Sequence, residues 1–100
     1  MKDSVYPSIK PELLYIPSIG NTTDLGVVYI VLNIICPNYE TGIRSSVIAV
    51  LENGKETYYT LPNDTNLSSW AANCSLHQSS LFPCKVEFGK LLGQYYAEIL

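Results

Sequence analysis

The side chains best suited to chemistry in this chain are three cysteines and a single histidine: Cys36, Cys74, Cys84 and His77. Cys74-Ser75-Leu76-His77 has C-x-x-H spacing, and Cys84 follows seven residues on. Together with Cys36 these groups make up the ligand set of a tetrahedral Cys3His zinc site, because Zn²⁺ takes thiolate and imidazole donors. A second close-spaced ligand pair, the usual other half of such a site, is missing. Two other states compete. A Cys74–Cys84 disulfide would close a short loop and add about 2–3 kcal/mol on the chain-entropy account. Alternatively all three are free thiols that behave as small apolar groups, the more general fate of buried cysteine. An odd number leaves at least one thiol unpaired within a monomer, which favours a reducing compartment.

Cys74 and His77 also have the composition of a nucleophile and its base. Such pairs are oriented by a third group and generally come from distant parts of a fold. Nothing singles out that third group, since Asp64 is merely near in sequence. No Gly-rich phosphate loop, G-x-S-x-G elbow or H-E-x-x-H helix is present. Glu52 and Glu56 flank a turn and read as solvated charges rather than an acid/base pair. The sequence therefore implies no catalysis and no cofactor.

Two further signals concern surfaces. The N-x-[ST] pattern occurs at Asn21, Asn63, Asn66 and Asn73. It fits a glycosylated extracellular or viral domain, but loops rich in Asn, Ser and Thr also generate it at random. The aromatic set is skewed towards tyrosine, with eight Tyr against two Phe and one Trp. Tyrosine combines a large apolar ring with a polar tip and suits half-buried surfaces and interfaces. Tyr58-Tyr59 and Tyr95-Tyr96 are consecutive pairs. On a strand the two members of a pair point to opposite faces, so one can enter the core while the other is offered outward. Tyr58, Tyr59, Tyr95, Tyr96 and Trp70 are the candidate interface residues.

The elements that position these groups follow from patterning. One hundred residues, 47% hydrophobic and 15% charged, make a single domain able to build a core. The net charge of −3 and six scattered basic residues argue against nucleic-acid binding. The N-terminus has no apolar leader-like region. The longest apolar run, Val27 to Cys36, is about half of the ~20 residues a membrane-spanning helix needs. The expected setting is the cytoplasm (that of a host, if the protein is viral), with an extracellular setting as the alternative.

Residues 1–25 carry Pro7, Pro11 and Pro17 and read as an extended arm, with at most a short edge strand around Leu13–Ile16. Gly20 to Asp24 reads as a loop, and Pro37 to Gly42 as a turn. Between them, Gly26–Cys36 is dense in β-branched residues and predicts a long central strand buried on both faces. Ser46 to Leu61 predicts a hairpin about an Asn53-Gly54 type I′ turn. That turn sets Glu52 opposite Lys55, Val50 opposite Thr57, Ile48 opposite Tyr59 and Ser46 opposite Leu61. Both hairpin faces carry apolar groups, so cover on both sides is expected, from within the chain or from a partner. Leu67, Trp70, Ala71 and Cys74 recur at helical spacing and predict a helix over 67–78, with Thr65 or Asn66 as its N-cap. Cys84 to Phe88 alternates as a strand. The last twelve residues fit either an amphipathic helix or a second hairpin turning at Gly93-Gln94, with strand favoured.

The resulting expectation is an α+β domain over residues 26–100, with an antiparallel sheet of hairpin and meander type and one helix on it. Its expected role is a non-catalytic protein–protein binding module. It would be an assembly subunit, or a small inhibitor of a host complex of the kind phages and mobile elements encode. The partner is a protein or a second copy, not nucleic acid or membrane. The alternatives are an extracellular or viral structural domain stapled by Cys74–Cys84, and a zinc-binding module.

Overall fold

The structure is a computed structural model that describes residues 11–21, 25–38, 40 and 45–100. Residues 1–10 of the expected arm, including Pro7, lie outside the described residues. So do parts of the Gly20–Asp24 loop and of the Pro37–Gly42 turn. The elements are β1 (Glu12–Leu13), β2 (Ser18–Ile19), β3 (Val27–Ile35), β4 (Val47–Glu52), β5 (Lys55–Thr60), α1 (Thr65–Ser75), α2 (Gln78–Leu81), β6 (Cys84–Leu91) and β7 (Gln94–Ile99).

Two tight turns set the registers. Asn53 and Gly54 take φ of 53° and 78°, and the β4–β5 ladder pairs Glu52 with Lys55, Val50 with Thr57 and Ile48 with Tyr59, as expected. The Leu61 N–H donates to the Ser46 carbonyl at 2.8 Å and extends the ladder by one pair. The chain end is a second hairpin, but it turns at Leu92-Gly93, with φ of 53° and 79°, and not at Gly93-Gln94. A two-residue hairpin turn of this hand needs positive φ at both central positions. Leucine takes it here because the β6–β7 pairs require that register.

Among the described residues the sheet has seven strands, in the order β1-β5-β4-β3-β6-β2, with β7 also on β6. On β6, the β3 partners (Cys84 to Phe88) and the β2 partners (Lys90, Leu91) do not overlap, whereas β7 pairs from Val86 to Leu91. Strands β2 and β3 therefore share one edge of β6, and β7 holds the other. The mostly antiparallel meander is as expected. The two short strands of the arm join it in parallel, one at β5 and one at β6.

One face of this sheet carries the core. Val31, Ile34, Ile48, Val50, Val86 and Phe88 meet Leu67, Ala71 and Cys74 of α1. The Phe88 ring makes edge contacts with Trp70 at 5.4 Å and Tyr29 at 6.0 Å between centroids. The arm covers the same face. It is pinned at one end by Leu14 N–H to Thr60 O (2.8 Å) and at the other by Lys90 N–H to Pro17 O (3.0 Å). Between these points it crosses β4 and β3, and Leu14 (2% exposed) and Ile16 join the core. The helix starts at Thr65 and its N-cap is Asp64, whose carboxylate accepts from the Leu67 N–H at 3.1 Å. It ends at Ser75, short of residue 78. Asp64 outcompetes Thr65 and Asn66 as the cap because a charged acceptor suits the positive end of a helix.

The long strand departs from expectation in one respect: it is buried on one face only. A bulge between Val31 and Asn33 inserts Leu32 as an extra residue. An unbroken alternation would place Asn33 beside Val31 on the core side. The bulge turns the exposed Asn33 outward and brings Ile34 (3% exposed) inward. Ladder pairing of β3 with β6 ends at Val31, and the Ile34 N–H is taken instead by the Gln78 side chain of α2 at 2.9 Å.

Leu92 is 85% exposed and sits at positive φ, where an L side chain costs roughly 1–2 kcal/mol. Asparagine tolerates that region better. Leu92→Asn is expected to raise unfolding stability by about 1 kcal/mol, read from denaturant midpoints, with the same fold by circular dichroism. Destabilisation would contradict the turn assignment.

Candidate interaction surface

The alternation of strand side chains sorts the candidate residues between the two faces. Tyr59, Tyr95 and Trp70 lie on the core side and pack against it. Tyr58 and Tyr96 lie on the opposite side, as the cross-strand partners Ala49 and Gly89 require. On that second side, no helix covers the sheet among the described residues. Ile30 of β3 stands directly opposite Leu51 of β4, and Val28 lies two residues along on the same face. Val28 is 44% and Leu51 is 40% exposed. Lys85 neighbours Ile30 from β6, and Glu56 neighbours Leu51 from β5. The result is an apolar triad on rigid strands with a cation on one flank and an anion on the other. Sequence reasoning did not find Val28 and Ile30. Leu51 was visible on the hairpin, but its apposition to Ile30 depends on a β3–β4 register that no local turn announces.

Three tyrosines are tied to carboxylates. Tyr58 O–H donates to Glu56 across one residue of the open face. Tyr59 O–H donates to Glu52 at 2.6 Å, and this bond to a carboxylate, with burial second, pushes the phenol up to about 12. Tyr96 O–H donates to Glu87 at 2.6 Å, and the Gly26 N–H donates to the same oxygen at 2.8 Å. These two bonds, the phenol first, hold the buried Glu87 carboxyl below its usual range, while Tyr96 is pushed up to about 12. The Tyr96 ring lies on Gly89, where an added Cβ would come within 2.5 Å of it. The ring fills the space a side chain would take and brings the hydroxyl to Glu87.

The cysteine set is placed differently. Cys36, Cys74 and Cys84 are free thiols and all belong to or pack against the core. Burial, with Cys84 as a lesser contributor, pushes the Cys74 thiol up; burial does the same to Cys84. His77 is exposed at the start of α2. The four expected zinc ligands are not brought together. No group of three or more His, Cys, Asp or Glu side chains suited to a metal ion occurs among the described residues. Of the N-x-[ST] asparagines, Asn63, Asn66 and Asn73 are exposed. The Asn66 amide donates to the Tyr95 carbonyl at 3.1 Å. Thr22 and Thr23 of the first match lie outside the described residues. No described helix is long and apolar enough to cross a membrane.

Comparison of the chain with protein-family models, with curated proteins and with solved structures returns no match.

The Tyr96–Glu87 bond has a defined pH window. Glu87 is depressed below 4.5, so its contribution is present above that value and is lost as pH falls through the folded value. Tyr96 is raised above 10.0, so its contribution is present below that value and is lost as pH rises through about 12. Tyr96→Phe keeps the ring on Gly89 and removes the bond. It is expected to cost about 1.5 kcal/mol near neutral pH, with the gap to wild type closing in strong acid. A gap of constant size across the acid limb would contradict this coupling.

Proposed function

We propose that the chain is a non-catalytic protein–protein binding module that engages its partner through the open face of the sheet. The observation that carries this reading is the triad of exposed Val28 and Leu51 with half-buried Ile30 between them, held on paired strands and flanked by Tyr58. Rigid apolar anchors with a polar rim are the usual composition of a binding hot spot, since their ordering cost is already met by folding. Lys85 and Glu56 on opposite flanks would orient the partner. A fitting partner offers an apolar pocket between an acidic and a basic side chain. Two placements support a non-catalytic role. Cys74 is buried with its thiol pushed up, which disfavours the reactive thiolate. His77 is exposed and carries no side-chain bond at its capping position. A compact inhibitor or an assembly subunit, of the kind mobile genetic elements encode, fits a domain whose offered surface is one sheet face.

A photoactivatable side chain at Leu51, in cells that naturally make the protein, is expected to give one discrete protein adduct. That adduct should vanish when Val28→Glu is added, with the fold retained by circular dichroism. The same group at Leu76, which is 77% exposed on the helix side, should give none. Equal adducts from both positions, or an adduct unaffected by Val28→Glu, would overturn the assignment of the face.

A further inference from the structure

The two edges of the sheet are unequal. On one side, β5 is capped by β1 at Tyr59 and Thr60, and its remainder carries Lys55 and Glu56 next to the turn. Paired caps and charges are the usual protection of an edge strand. On the other side, among the described residues β7 pairs only with β6. It contains no proline and no lysine, and its ladder runs without a bulge from Gln94 to Ile99.

The hydrogen-bond pattern shows what that edge offers. The two-residue turn makes Leu91 and Gln94 the first hydrogen-bonded pair, and such pairs alternate along an antiparallel ladder. Gly89/Tyr96 and Glu87/Glu98 are then the bonded pairs, and the Leu100 N–H bond to Lys85 O at 3.0 Å continues the alternation. The N–H and C=O groups of Tyr95, Ala97 and Ile99 therefore point away from β6. Tyr95 confirms this direction, because its carbonyl accepts from Asn66 of α1. Ala97 and Ile99 have no partner on that side among the described residues.

We propose that a second copy of this chain pairs antiparallel with the outer edge of β7, in the register that sets Ala97 opposite its own counterpart. A two-fold contact needs only one self-complementary patch, and this strand is self-complementary in that register. Tyr95 faces Ile99 of the second copy on the core side, an aromatic–β-branched pair of the favourable kind. On the open side Glu98 faces Tyr96 of the second copy. Shifting the register by one pair towards the chain end would set Glu98 against itself, and directly opposed like charges are destabilising. The Tyr95 carbonyl has a second lone pair to share beside Asn66. Helix α1, which flanks this edge, carries no charged side chain from Thr65 to Ser75, so two copies meet without repulsion there. The assembly continues one sheet through both copies and leaves the triad of Val28, Ile30 and Leu51 uncovered on each.

The test is the molar mass of the full chain across a concentration series, by sedimentation equilibrium. Wild type is expected to pass from monomer to dimer. Ala97→Pro blocks the edge without removing a β6–β7 ladder bond, since the lost N–H points outward. Ile99→Lys places a charge on the same edge. Each is expected to weaken dimerisation about tenfold or more while circular dichroism shows the fold retained. If Ala97→Pro fails to fold, Ile99→Lys decides. A wild type that stays monomeric at every concentration, or a dimer that survives the folded variants unchanged, overturns the proposal.

Discussion

Much of this fold depends on one constraint: among the described residues the main covering elements, one eleven-residue helix and an extended arm, both land on the same side of the sheet. Helix α1 reaches β3 and β7, and the arm crosses β4 and β3, so together they roof a single core centred on Phe88. Burial of the Val, Ile and Leu side chains on that side contributes roughly 1.5–3 kcal/mol each, which is the main stabilising term. On the opposite face no described helix packs; Val47 and Ala49 are buried there, while Val28 and Leu51 stay exposed. The proposed binding role is a consequence of that asymmetry rather than of any catalytic constellation.

The registers that make the asymmetry sharp come from local devices. Two positive-φ turns fix the hairpins at either side of the sheet. A single extra residue in β3 then decides which side chains are core. With Leu32 bulged, Ile34 is buried and the amide of Asn33 reaches water; without it, a polar group would enter the core at a cost of about 1–3 kcal/mol. The buried carboxylate of Glu87 is tolerated because two donors meet it, the Tyr96 phenol and the Gly26 N–H. That contact in turn requires Gly89, since only a residue without a Cβ leaves room for the Tyr96 ring.

Much of this was legible in the sequence where a local rule applies. Asn53-Gly54 announced a turn, and the register of β4 against β5 followed pair by pair. The alternation of Tyr58 with Tyr59 assigned opposite faces from the hairpin alone, and the same followed for Tyr95 with Tyr96 once that segment was a strand. Legibility ended where non-local geometry took over. The apolar density of Val27 to Ile35 reads as burial on both faces, but density reports only strand propensity, not what lies above the strand. The bulge at Leu32 has no glycine to signal it. Leu92 is a poor turn residue by preference, so the second turn appeared one residue late. The Ile30–Leu51 contact at the heart of the proposed surface spans a long connection between β3 and β4, and no propensity scale reports that register.

The account stands or falls on one-sided cover of the sheet, and carbene footprinting of the isolated protein with residue-level mass spectrometry addresses it most directly. Labelling is expected at Val28, Leu51 and Tyr58, with Ile48, Leu67 and Phe88 protected. Protection of Val28 and Leu51 equal to that of Phe88 would mean that the second face is covered within the chain, and would contradict both the fold as described and the interaction surface built on it.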